Sequence, residues 1–125
     1  SGVPHAVVAL PHGKNTKNIF KNVDKLGIIV NKIRSLPQFK KHGTNVTFYS
    51  AKNKKSIRTL TFERGVVGYT QACGTGAVAA AVSFTQNKSH IIKAYVPGGL
   101  LIINLTEERP HLIGLGEFVA EIYLK

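Results

Sequence analysis

One cysteine, Cys73, lies in the run Phe62-Glu63-Arg64-Gly65-Val66-Val67-Gly68-Tyr69-Thr70-Gln71-Ala72-Cys73-Gly74-Thr75-Gly76. Behind it follow Ala77-Val78-Ala79-Ala80-Ala81-Val82-Ser83-Phe84, small and apolar on nearly every face. The composition predicts a glycine-rich loop that turns into a buried helix, with the thiol at the junction. The first amides of a helix lack intrahelical partners and carry the positive end of its dipole. A thiol placed there ionises more readily, and the thiolate is the reactive form. Gly74 and Gly76 allow close approach of a ligand to the backbone, and the amides of residues 74–76 could cradle a carboxylate or phosphate. The competing reading is a small, inert, buried cysteine. A lone thiol with no visible partner base does not decide between them.

The elements that must position this run can be read in order. His5 to Leu10, an apolar run between Pro4 and Pro11, reads as a buried strand. Pro11 to Lys17 reads as a loop. Apolar residues from Ile19 to Ile33 recur near helical spacing, with the helix firmest over Asn22 to Asn31 and weakened at Gly27. Pro37 to Gly43 reads as a loop. Asn45 to Ser50 alternates as a strand, Ala51 to Lys55 as a charged hairpin turn, and Ile57 to Glu63 as the return strand. After the helix over Ala77 to Phe84, Asn87-Lys88-Ser89 ends it. Ile91 to Val96 and Leu100 to Leu105 form a hairpin about Pro97-Gly98-Gly99. Leu112 to Leu115 and Phe118 to Leu124 are the last strands, with a bend or bulge near Gly116. The expected fold class is α+β: about seven short, mostly antiparallel strands and a helix apolar all round, which needs a sheet wrapped about it.

Four stretches together resemble diaminopimelate epimerase. Glu63-Arg64-Gly65 with Thr70-Gln71-Ala72-Cys73-Gly74-Thr75-Gly76-Ala77 is similar to the second catalytic-cysteine motif of that family. Ser1-Gly2-Val3-Pro4-His5-Ala6-Val7-Val8 resembles its Gly-Asn-Pro-His segment, and Gly43-Thr44-Asn45-Val46 its Thr-Asn-Val segment. Pro97-Gly98-Gly99-Leu100 and Leu112-Ile113-Gly114-Leu115-Gly116 resemble its C-terminal hairpin and last strand. The resemblance spans the chain but covers only the second half of a two-domain enzyme with one catalytic cysteine per domain. It implies a barrel-like sheet around a central helix, with Cys73 at the helix mouth.

The resemblance also implies roles. The reaction inverts an α-carbon without pyridoxal phosphate, metal or any other cofactor, one thiolate removing the α-proton while a thiol on the opposite face returns one. Cys73 is one of these acid/base thiols. His5 and Glu63 act beside it, His5 by influencing its protonation and Glu63 by tuning it. Glu63 also suits the substrate ammonium, Arg64 a carboxylate, and Asn45 a neutral contact. The amides of Gly74 and Thr75 would hold the α-carboxylate. Three departures stand out: Val3 replaces the family's Asn, the 66–69 loop is one residue longer, and there is no second cysteine. An N-terminal domain carrying the other thiol is therefore the expected partner, and the start of the chain at Ser1 to His5 suits a domain boundary. A half on its own could self-associate as a homodimer through its cleft face.

Composition bounds these readings. At 125 residues the chain is expected to form a single domain, 1–125, with a real core. Mean hydropathy near zero (+0.02) and one cysteine fit a cytoplasmic protein, and no apolar run approaches a membrane span. Ser1 to Leu10 does not read as a signal peptide. The net charge of +11 comes from 17 Lys and Arg against six acids. No helix-turn-helix, zinc or RNP motif accompanies it, so the charge reads as a solvated surface and nucleic acid is not expected as a partner. No His pair has metal-ligand spacing near Cys or a carboxylate, so no metal is expected; His12, His42, His90 and His111 read as non-catalytic. Two alternatives to the epimerase half remain: a related amino-acid racemase, motivated by Val3 and the longer loop, and a basic, non-catalytic binding domain, motivated by the charge.

Overall fold

A computed structural model describes residues 5–10, 23–65, 68–69, 74–86, 90–106, 111–114 and 117–121. In chain order its elements are β1 (His5–Ala9), α1 (Val23–Arg34), α2 (Pro37–Lys40), β2 (Asn45–Asn53), β3 (Ser56–Phe62), α3 (Gly74–Thr85), β4 (Ile91–Val96), β5 (Gly99–Asn104), β6 (His111–Gly114) and β7 (Glu117–Glu121). The strands form one seven-stranded sheet in sequence order.

Four pairings are antiparallel, each between strands joined directly. The other two, β1 with β2 and β3 with β4, are parallel. A parallel pair needs a crossover, and each pair has one: α1 lies between β1 and β2 in the chain, α3 between β3 and β4. β3 runs opposite to β2, so the two crossovers start from strands of opposite direction. If both are right-handed, as such connections nearly always are, their helices fall on opposite faces of the sheet.

The side chains partition that way. Successive residues of a strand point to opposite faces. Val46 and Phe48 of β2, with Leu60 and Phe62 of β3, pack on Leu26 and Val30 of α1. Tyr49 of β2 and Ile57 of β3 pack instead on Ala77, Val78, Ala80 and Ala81 of α3, with Ile92, Ala94 and Ile103. β2 and β3 are thus covered on both faces and buried along most of their length.

α3 touches five consecutive strands, β1 to β5. Its residues Gly76, Ala77, Val78, Ala80, Ala81 and Thr85 are buried, whereas Ala79, Val82 and Phe84 are half-buried and Ser83 is exposed. Burial on every face was the expectation; among the described residues it is confined to the flanks that meet strands. The α+β class holds, but the sheet is open, with β1 and β7 at its ends and no pairing joining them among the described residues.

Two boundaries differ from the sequence reading. Pro37–Lys40 form a helical turn rather than loop, because Pro37 stands at the start of the helix, where its missing N–H costs nothing. The Phe39 and Lys40 amides donate to the Leu36 carbonyl at 2.9 Å. β2 continues to Asn53, since a register shift between Ala51 and Asn53 keeps the charged stretch in the ladder. α3 begins at Gly74, directly after Cys73, where the sequence reading put the junction of loop and helix. The expected bend near Gly116 lies outside the described residues, although a register shift occurs between Leu112 and Ile113.

Candidate functional site

β1 and β2 begin, and β3 ends, at the same edge of the sheet: His5 pairs with Asn45, and Val46 with Phe62. A crossover helix runs antiparallel to the strands it joins, so α3 starts at the end where β3 finishes. The chain's topology therefore gathers His5, Asn45, Glu63, Arg64, Gly74 and Thr75 at one end of the sheet. Cys73, one residue before α3, lies outside the described residues, as does Val3.

On the α3 face of that end runs a short relay of polar groups. His5 Nε2 lies 2.9 Å from Thr47 Oγ1, and Thr47 Oγ1 lies 2.8 Å from Thr61 Oγ1. Thr47 and Thr61 are opposite one another in the β2–β3 ladder and nearly inaccessible to solvent, at 0% and 4% exposure. Burial lowers the His5 pKa from its ordinary value of 6.5, because desolvation penalises the imidazolium. His5 is therefore neutral at pH 7. One ring nitrogen is engaged by the hydroxyl relay, so the ring's orientation is set.

Beyond the last ladder pair, the backbone is held by side chains. The Arg64 amide donates to Asn45 Oδ1 at 2.6 Å, and an Arg64 guanidinium nitrogen donates to the His42 carbonyl at 3.2 Å. Gly43 has a φ of +76°, and a Cβ built there would stand 2.9 Å from Cγ of Arg64. Glycine is required at this position on both counts: any other residue would be strained and would displace the Arg64 stem. Thr44, fully buried, donates its hydroxyl to the Asn45 carbonyl at 3.0 Å. Glu63 is half-buried and Arg64 exposed. Gly65, with φ +78°, lets the chain leave them sharply.

From the other face of the sheet, Arg34 at the end of α1 reaches the same edge. Its Nε donates to the Thr44 carbonyl at 3.2 Å, and one terminal nitrogen donates to the carbonyls of Phe62 and Glu63 at 3.1 and 2.8 Å. Neither Arg34 nor the Thr47–Thr61 pair is among the motif residues of the sequence. A basic residue in the last turn of α1 was the only trace of the first. The second was hidden because alternating threonines in a strand ordinarily mark a solvated face.

Arg64 and the start of α3 suit a carboxylate, and Glu63 suits an ammonium. Among the described residues no group of three or more His, Cys, Asp or Glu is placed to hold a metal, and no helix is long and apolar enough to cross a membrane.

Comparison with known proteins sets this edge in a family. The profile described as diaminopimelate epimerase matches residues 1–120. This chain belongs to the diaminopimelate epimerase family. It is 37% identical to the diaminopimelate epimerase of Natranaerobius thermophilus over 95% of the chain, and 32% identical to that of Chlorobaculum tepidum over its full length. A shorter match, 41% identical over 63% of the chain, is to the diaminopimelate epimerase of Methanopyrus kandleri. The chain spans 38% of the Natranaerobius protein and 43% of the Chlorobaculum protein. It thus corresponds to about two-fifths of a diaminopimelate epimerase, and every candidate site residue falls within the matched region.

Proposed function

We propose that residues 1–125 form one domain, the C-terminal half of an epimerase that interconverts LL- and meso-diaminopimelate, and that the site is completed by an N-terminal domain carrying a second cysteine. The observation that carries this reading is the convergence of His5, Asn45, Glu63, Arg64 and the first turn of α3 on one edge of the sheet. In the reaction, the thiolate of one cysteine takes the α-proton of the substrate, and the thiol of the other delivers a proton to the opposite face. Inversion leaves the substrate's composition unchanged and exchanges the protonation of the two thiols. Cys73 is one of the pair.

Each neighbour has a task. The amides of Gly74 and Thr75 hold the α-carboxylate and stabilise the charge that develops on it as the proton leaves. Arg64 binds a carboxylate and Asn45 a polar group of the substrate. Glu63 binds the ammonium and, with His5, sets the protonation of Cys73. A neutral His5 adds no positive charge to the site, so stabilising a thiolate falls to the helix terminus. No cofactor enters the step.

The same reading extends to the fold. The sheet curls around α3 as a barrel-like half. In support, five strands at ~4.8 Å spacing span about 19 Å, wider than a helix about 10 Å across, yet α3 touches all five of β1 to β5. Lysine and peptidoglycan biosynthesis in the cytoplasm is the corresponding setting.

The test is proton exchange. The chain, alone and mixed with a separately expressed N-terminal domain of a family enzyme, is incubated with LL-diaminopimelate in D2O. Deuterium at the α-carbon only in the mixture, and none with C73A, is the expected result. Exchange on simple amino acids but not on diaminopimelate would reassign the substrate. No exchange in any mixture would defeat the proposal.

A further inference from the structure

We propose that Arg34 is a positioning residue for this site, acting through the backbone from the far face of the sheet; the inference rests on the epimerase reading above. The β2–β3 ladder ends at the pair Val46–Phe62. Beyond it, no ladder pair joins the chain that carries Asn45, which pairs on its other side with His5, to the chain that carries Glu63 and Arg64. Arg34 supplies the missing link. Its planar guanidinium donates at once to the carbonyl before Asn45 and to the carbonyls of Phe62 and Glu63. One rigid group thereby fixes the gap between the start of β2 and the end of β3.

The Arg64–Asn45 hydrogen bond crosses the same gap. A 2.6 Å contact between a backbone amide and a side-chain oxygen requires the two chains to stay in register. Movement of about an ångström at such a place is enough to lower catalysis by as much as a hundredfold. Arg34 is suited to prevent it for reasons of shape. Its donors form a planar fork that can satisfy carbonyls on two chains together, whereas a lysine ammonium is a point charge on a flexible stem. Among the described residues Arg34 makes no ion pair, and its hydrogen bonds go to backbone carbonyls. A surface salt bridge does not account for it. It belongs to none of the motifs that mark the family in this chain, and it reaches the site from α1, an element that contributes no candidate site residue.

The test uses R34K and R34M, with K32A as a control on the exposed face of α1. Amide hydrogen exchange is read at Arg64 and compared with amides of α3 and β4. Steady-state kinetics are read on the chain complemented by the N-terminal domain. Both Arg34 variants are expected to lose about tenfold or more in protection at Arg64 while α3 and β4 keep theirs. KM should rise about tenfold with kcat within about threefold, because the groups disturbed hold substrate rather than carry its proton. K32A should change neither. Unchanged Arg64 protection in R34K overturns the proposal. So does an equal loss across α3 and β4, which would make Arg34 a general structural residue. Local loss at Arg64 without any proton exchange by the unaltered complex keeps the clip but sinks the epimerase reading on which its role depends.

Discussion

The two faces of the central strands solve the same packing problem in opposite ways. On the α1 side the helix brings large side chains, Leu26 and Val30, to large ones on the sheet, with Phe48 and Phe62 edge to face at 5.8 Å. On the α3 side the helix contributes mainly alanines, and the bulk comes from Tyr49, Ile57, Ile92 and Ile103. Small residues let the α3 backbone come close to the strands. The difference extends to polarity. Thr47, Thr59 and Thr61 alternate with the α1-facing residues and so lie on the α3 face, all buried. Tyr49 on that face reaches Ser83 of α3 at 3.2 Å. The α1 face is a hydrophobic anchor, and the α3 face is where buried polar groups lead to the site.

Substitutions can break this contrast in order of size. Phe48→Ala empties a fully buried ring position on the α1 face and should cost about 3–5 kcal/mol. That is much of a small domain's stability of about 5–15 kcal/mol, and it would be read as a large drop in the urea midpoint. On the α3 face the sensitive change is the opposite one. Ala80→Leu adds volume where there is none and should cost about 1–3 kcal/mol; a midpoint equal to the unaltered chain would show that α3 is loosely packed. Thr47→Val keeps shape but removes the hydroxyl that His5 Nε2 and Thr61 Oγ1 both contact. A loss of about 1–2 kcal/mol is expected, together with a shift of the His5 ring resonances by NMR.

The smallest effect is the pH dependence of the α3 face. His5 has a lowered folded pKa, so below 6.5 the unfolded chain binds more protons than the folded one. Stability from keeping His5 neutral is complete above 6.5 and is lost as pH falls through the lower folded value. Urea midpoints measured from about pH 7.5 to about pH 5 should decline in this window. The decline should be shallower in H5Q; equal slopes would mean that other groups govern it.

Much of this arrangement was legible in the residues. Alternation located the strands, and the apolar run Ala77 to Phe84 marked α3. Gly74, Thr75 and Gly76 have low helix propensity, yet the reading that put the loop-to-helix junction at Cys73 agrees with α3 starting at Gly74. What escaped had physical causes. Strand direction leaves no mark on periodicity, and the two parallel pairings were missed. Motif residues announced Asn45, Glu63 and Arg64 as a set, and the register brought them to one edge. The group that ties their backbones together, Arg34, looked like any basic residue at the end of an amphipathic helix. Thr47 and Thr61 drew no notice, because nothing in their own strands reveals that α3 covers them.

The parallel pairing of β1 has a consequence for the order of assembly. β2 and β3 meet through a short turn, but His5 finds Asn45 only after 40 intervening steps along the chain, the separation of the paired residues. Closing so long a loop is entropically slower than zipping a hairpin. We expect pulse-labelled hydrogen exchange to protect the β2–β3 hairpin before β1; β1 amides protected together with β2 would contradict this. The histidine of the site then arrives after the hairpin, and a newly made chain passes through a stage in which Asn45, Glu63 and Arg64 are in place while His5 is not.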